Sequence, residues 1–276
     1  MSGDVKTIKI LFFGDLVGRP GRFAVRDYLE ELKEKNEMPD FVIANIENAS
    51  HGFGLTEKNY NEMLDYGVHC LTSGNHIWDK KDIFTYINTA DKLIRPFNYP
   101  CGTKGEGSRI FEINGIKIAV INALGRVFMN LVDSPWEGVV EEIKRLKEIT
   151  PIVIIDFHAE ATAEKVCFAR VCSELGVSAF FGTHTHVQTA DENILGNMGY
   201  ITDAGFCGAS DGVIGMDYQT SLSRFTTGIP ERYEVAGGDL NQINAVEVEI
   251  ETSTGNAAAI KRIFCIRDKG KKEEGQ

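Results

Sequence analysis

Short apolar runs punctuate the chain: IKILFF (8–13), FVIAN (41–45), HCLTS (69–73), KIAVINA (117–123), PIVIIDF (151–157), SAFFG (178–182) and YITDAG (200–205). Most are continuous rather than alternating, and rich in Ile, Val and Phe, which predicts strands buried on both faces. Helix-like stretches separate several of them. From Arg22 to Asn36, the residues Ala24, Val25, Tyr28, Leu29 and Leu32 share one stripe. Ser134-Pro135-Trp136-Glu137 has the form of a capping box with proline at the first helical position, and opens a helix to about Ile149. Thr162 is a candidate cap for a further helix, which Gly176 ends.

The pattern changes in two places. AVEVEIE (245–251) alternates strictly, so one face is buried and the other wet; AAIKRIFCIR (258–267) follows after Ser253-Thr254-Gly255-Asn256. The pair predicts a β-hairpin on the edge of the fold. RIFEINGIKIAVI (109–121) predicts a second hairpin, turning at Asn114-Gly115. With no internal repeat or low-complexity linker, the simplest reading is one α/β domain over residues 1–276, two sheets packed between helical layers. Residues 206–240 are glycine-rich and form a long connection, either functional or a plain surface excursion. The polar tail 269–276 is expected to fray.

Composition narrows the function. The formal net charge is −11, against a broad basic groove for duplex nucleic acid. Acidity does not exclude a small phosphate ligand, because bound cations invert the local field. No apolar run approaches the roughly 20 residues that span a bilayer, and MSGDVKTIKILFF lacks the layout of a secretion signal. None of the six cysteines forms a Cys-x-x-Cys pair. A reduced, soluble, cytoplasmic enzyme is expected; its oligomeric state, a homo-oligomer included, is left open.

Polar residues collect where the apolar runs end. ILFFGD ends in Asp15, FVIANIEN in Glu47 and Asn48, CLTSGNH in Asn75 and His76, VIIDFH in His158, and AFFGTHTH in His184 and His186. In a largely parallel sheet the carboxyl ends of the strands open onto one crevice, where ligands bind. Asp, Glu, Asn and His are the ligand types of zinc, manganese and iron sites. Taken singly, each has an ordinary alternative: Asp15 or Asn75 as a turn former, Glu47 as a loop acid, His76 or His158 as a hydrogen-bonded core histidine. His184-x-His186 is more telling, since alternate residues of an extended segment point the same way and bring two imidazoles to one cluster. It is the joint arrangement that points to a metal centre.

The motifs GD (14–15), GNH (74–76), DFH (156–158) and GTHTH (182–186) resemble, in order, those of the calcineurin-like metallophosphoesterase superfamily. GDLVGRPGR, NIENASHGFGLT, SGNHIWD, FHAEATAEK and GTHTHVQTAD resemble its YmdB-like bacterial branch over nearly the whole chain. The resemblance implies a four-layer α/β/β/α sandwich of two mixed sheets. It also implies a metal-dependent phosphodiesterase acting on 2′,3′-cyclic nucleotides or related small phosphodiesters. It assigns Asp15, Glu47, Asn48 and His186 to one metal, and Glu47, Asn75, His158 and His184 to a second, with Glu47 bridging. Two divalent or mixed-valence ions are implied, iron or manganese foremost and zinc compatible, holding a hydroxide for in-line attack. His76 is then the proton donor to the leaving alkoxide. The superfamily's D-x-H histidine is replaced by Val17, and its bridging aspartate by Glu47. Asp79 is expected to cap a helix beginning near Lys80 rather than to orient His76. Arg19, in Gly18-Arg19-Pro20-Gly21, meets either a substrate phosphate or only solvent in a surface turn, and Thr56 is expected to cap a helix; His51 is close enough in sequence to reach the site. The alternative reading is a regulatory protein that keeps this fold and binds nucleotides or partners without turnover.

Overall fold

In the computed structural model, which describes residues 6–268, nearly every apolar run forms a strand. The chain opens with β1 (Thr7–Phe13), the two-residue β2 (Asp15–Leu16), α1 (Gly18–Glu34), β3 (Phe41–Asn45), α2 (Glu57–Asp65), β4 (Cys70–Thr72) and α3 (Ile83–Tyr86). It continues through β5 (Ser108–Ile113), β6 (Ile116–Leu124), α4 (Pro135–Lys147), β7 (Ile152–His158), α5 (Thr162–Glu174) and β8 (Ala179–Thr183). It closes with β9 (Asn193–Leu195), β10 (Met198–Ile201), β11 (Phe206–Ala209), α6 (Tyr218–Thr227), β12 (Leu240–Glu251) and β13 (Ala257–Asp268). The tail 269–276 lies outside the described residues.

Two mixed sheets result. The first runs β2-β11-β12-β1-β3-β4, with β13 on β12; the second runs β5-β6-β7-β8-β10-β9. β1, β3 and β4 are mutually parallel, as are β6, β7, β8 and β10. The period-2 geometry of a strand sorts its side chains between two cores. In β1, Ile8, Ile10 and Phe12 face the second sheet, while Leu11 and Phe13 face the helices. In β7, Ile152 and Ile154 join the same inter-sheet core, while Val153, Ile155 and Phe157 pack under α4 and α5. Phe12 of one sheet stacks on Phe181 of the other, with ring centroids 4.5 Å apart, a contact worth about 0.5–1.5 kcal/mol beyond its buried area. These layers form the expected α/β/β/α sandwich, which accounts for strands with no wet face.

Local expectations met mixed outcomes. Asn114 and Gly115 both have positive φ (51° and 78°) and close the β5–β6 hairpin, as a two-residue primed turn requires. Pro135 does start α4, but the Ser134 side chain makes no cap bond. Thr162 is the first residue of α5 rather than its cap, and Ala161 occupies the N-cap position. Gly176, with φ 74°, does follow the end of α5. The Thr56 side chain caps α2 by accepting from the Asn59 N–H. β12 is not an edge strand: β1 and β11 pair with it as well as β13, so of the hairpin's two strands only β13 lies at a sheet margin. No helix among the described residues is long and apolar enough to cross a membrane.

Candidate metal centre

The expected donors arrive at carboxyl ends of strands from both sheets. Asp15 opens β2 directly after β1, Glu47 and Asn48 follow β3, and Asn75 and His76 follow β4. His158 ends β7, and His184 and His186 follow β8. The crevice therefore belongs to two sheets, not one. Each sheet contributes parallel strands, and their face-to-face packing brings both sets of carboxyl ends to a shared rim. Gly74 makes the approach possible: a Cβ there would lie 2.2 Å from Glu47 Oε2 and 2.5 Å from His158 Nε2.

Glu47 stands at the centre. Its Oε2 is 3.1 Å from His158 Nε2 and accepts the His76 backbone N–H at 3.2 Å; its Oε1 accepts from Asn48 Nδ2 at 3.0 Å. His158 Nε2 also lies 3.1 Å from both Asn75 Oδ1 and His184 Nδ1. Asn48 Nδ2 is 3.1 Å from His186 Nε2, and Asp15 Oδ2 accepts the His184 backbone N–H at 3.0 Å. Two groups of potential ligand atoms emerge among the described residues, Glu47–His158–His184 and Asp15–Glu47–His186, each with all its atoms within 4.8 Å of one another. Glu47 belongs to both. The two imidazoles of His184-x-His186 do not point together as an extended segment predicts. Both residues have positive φ (103° and 62°), and the bent backbone delivers one ring to each group.

The nitrogen that each histidine turns away from the centre is also engaged. His158 Nδ1 meets Thr183 Oγ1 at 2.9 Å, and that hydroxyl donates to Asp156 Oδ1 at 2.7 Å. His184 Nε2 is 3.1 Å from Glu160 Oε2, and His186 Nδ1 donates to the Ile214 carbonyl at 2.9 Å. Such outer partners fix the tautomer and aim of a metal-binding imidazole. Burial alone would raise the Glu47 pKa and lower that of His158, but their mutual attraction wins. Glu47 is held below the usual carboxylate range and His158 is raised to about 9. Burial raises Asp15 well above its ordinary value, with Glu47 and Asp203 adding to the effect. Burial and the neighbouring His158 charge lower His184 to about 3. Buried acids thus outnumber the cationic groups that balance them, an electrostatic setting that attracts divalent cations.

The profile of the YmdB-like protein family matches residues 11–263. The chain belongs to the YmdB-like family. It is 46% identical over 258 residues to the 2′,3′-cyclic-nucleotide 2′-phosphodiesterase of Bacillus subtilis, covering 93% of this chain and 97% of that protein. The crystal structure of a novel phosphatase from Mycoplasma pneumoniae superposes with a TM-score of 0.87 at 36% identity, covering 96% of each chain. A hypothetical protein from Thermus thermophilus superposes with a TM-score of 0.84 at 34% identity, covering 94% of this chain and 99% of the other.

Seen in this YmdB-like chain, the departures from the wider superfamily have a physical setting. Val17 is fully buried against Phe206 and Met216 and offers no donor. Asp79 does not cap a helix; its Oδ2 is 2.8 Å from His76 Nδ1, and the next helix, α3, begins only at Ile83. The i to i+3 spacing in the tight turn after Asn75 brings the two side chains together and leaves His76 Nε2 as the ring nitrogen not directed at Asp79. Gly18-Arg19-Pro20-Gly21 is the first turn of α1 rather than a surface turn; Arg19 is exposed and lies over the Phe23 ring, 4.6 Å from its centroid. His51 is exposed and joins neither donor group. The 206–240 connection contributes the Ile214 carbonyl to His186. That carbonyl has no signature in a sequence, whereas Asp156 did carry one: a carboxylate inside a strand buried on both faces.

Proposed function

We propose that this YmdB-like chain is a metal-dependent phosphodiesterase that hydrolyses 2′,3′-cyclic nucleotides at a two-metal centre. The observation that carries the reading is the sharing of Glu47 between two donor groups that otherwise use different residues. The donor set fits hard or borderline divalent ions: carboxylate and amide oxygens with imidazole nitrogens, and no thiolate. A second feature supports the fit. Asp15 Oδ1 and Asn48 Oδ1 are buried and have no hydrogen-bond partner, a costly state unless another ligand satisfies them. Asp15, Glu47, Asn48 and His186 would hold one ion, and Glu47, Asn75, His158 and His184 the other. When bound, such ions supply Lewis acidity toward a phosphoryl oxygen and lower the pKa of water at the site. Iron and manganese suit this set, and zinc is compatible.

The chain's own residues do the rest. Thr183, Glu160 and the Ile214 carbonyl aim the three imidazoles. Asp79 holds His76 Nδ1, so that Nε2 can present a proton to the oxygen of the departing ribose, which leaves poorly as an alkoxide. The relative from Bacillus subtilis, by its name a 2′,3′-cyclic-nucleotide 2′-phosphodiesterase, supports the substrate class. The six free thiols support a reducing, cytoplasmic setting. The test is elemental analysis of freshly purified protein together with a panel of cyclic nucleotides, linear diesters and phosphomonoesters. Two ions per chain and a preference for 2′,3′-cyclic nucleotides are expected. Metal bound without turnover of any diester would overturn the enzyme reading in favour of a regulatory nucleotide-binding protein.

A further inference from the structure

Behind the donor groups lies a buried ion pair that none of the chemistry above uses. Lys165, on α5, and Asp203, just after β10, are each 1% exposed in their side chains, with Nζ and Oδ2 2.6 Å apart. Such a pair is a poor device for stability alone, because apolar residues of similar volume often serve as well or better. Its hydrogen bonds point to a different task. Asp203 Oδ2 also accepts from the Thr185 N–H at 3.1 Å and from the Thr185 hydroxyl at 2.8 Å. Asp203 Oδ1 accepts the Gly205 N–H at 2.8 Å. The Gly205 carbonyl in turn accepts the Asp15 N–H at 2.9 Å. One carboxylate therefore grips Thr185, the residue between His184 and His186 on the second sheet. Through Gly205 it also grips Asp15 on the first.

We infer that the Asp203–Lys165 pair positions the donors of the two sheets relative to each other and so sets the spacing between the two metal positions; this rests on the two-metal reading above. His184 and His186 hold positive φ, conformations that side chains rarely adopt and that persist only where the surroundings over-determine them. The double hold on Thr185 supplies that determination at the residue flanked by both. The three hydrogen bonds to the Asp203 carboxylate, and its ion pair with Lys165, are all made to protein groups, so Asp203 is a positioning residue and not a metal ligand. Lys165 supplies the opposite charge to a carboxylate that is otherwise buried with the acids Asp15 and Glu47.

The test titrates Mn²⁺ into the full chain and records its electron paramagnetic resonance, since two manganese ions a few ångströms apart give an exchange-coupled spectrum that depends on their separation. Thr185→Val removes the hydroxyl's grip while the buried charges of Asp203 and Lys165 stay paired. The double variant Asp203→Asn with Lys165→Met removes both charges together. Both are expected to stay folded by circular dichroism, to bind Mn²⁺ roughly 10–100-fold more weakly, and to lose the coupled spectrum in favour of that of isolated ions. Glu142→Gln, which disturbs the Ser108–Glu142–Arg145 cluster at the start of β5 and in α4, is the control: it perturbs a structural pair and should leave the spectrum unchanged. A parent that binds fewer than two ions sinks the two-metal reading itself. A parent that binds two, beside a folded Thr185→Val variant with unchanged affinity and spectrum, overturns the positioning role even if the double variant does not fold.

Discussion

Replacing Gly74 with alanine should disable the centre while leaving the fold in place. The new Cβ would lie 2.2 Å from Glu47 Oε2 and 2.5 Å from His158 Nε2, where ordinary contact begins at 3.4 Å. The shared carboxylate and the imidazole beside it must therefore retreat by roughly 1 Å, and a misplacement of that size costs about 10²-fold in turnover. The stability penalty is the usual one for overpacking, about 1–3 kcal/mol. Gly138→Ala is the matched control. Gly138 lies inside α4, and a Cβ there meets nothing closer than Phe97 Cε1 at 3.8 Å, so it should gain about 0.5–1 kcal/mol from reduced backbone entropy. The assay compares thermal melts, metal content after reloading, and turnover of a 2′,3′-cyclic nucleotide for both variants. If Gly74→Ala reloads fully and turns over within about threefold of the parent, a shift of about 1 Å at Glu47 does not matter and the derived geometry of the centre is wrong.

Three further outcomes are expected. His76→Ala should keep its metals yet lose roughly 10²–10⁴-fold on a cyclic nucleotide, and less on a diester whose p-nitrophenolate leaves without help; Asp79→Asn should cost no more than about fivefold, because a half-exposed pair is worth roughly 0.2–1 kcal/mol. Equal losses for both leaving groups would remove His76 as the proton donor. Asn48→Ala should weaken one metal position and spare the other, whereas Glu47→Ala should damage both; metal titration after chelation reads this directly, and unchanged binding in Asn48→Ala would exclude it as a ligand. Burial lowers the pKa of His69 from its ordinary 6.5, and its Nδ1 accepts the Val42 N–H at 3.0 Å. The unfolded chain then takes up a proton that the folded chain refuses, so this contribution to stability is complete above 6.5 and lost as pH falls below it. His69→Gln should show a shallower fall in melting temperature from pH 7 to pH 5, and an unchanged slope would refute the assignment.

Much of this was written locally. Continuous apolar runs marked strands buried on both faces, because strand period and burial leave their trace within a few residues. Asn114-Gly115 marked its hairpin because only such residues accept two successive positive φ values. The donor types stood at the ends of those runs for the same local reason. Partner choice was not local. Ser134 and Thr162 have the chemistry of caps, yet they make no cap bond, since a hydroxyl's partner depends on backbone and neighbours that the motif does not specify. Asp79 turned to His76 instead of a helix N-terminus because α3 starts later than expected. The largest step belongs to tertiary structure. Only the packing of two sheets could bring Asp15, Glu47, Asn48 and Asn75 from one against His158, His184 and His186 from the other. Only the fold could recruit the Ile214 carbonyl, whose hydrogen-bonding power is common to every residue and so leaves no mark in the sequence.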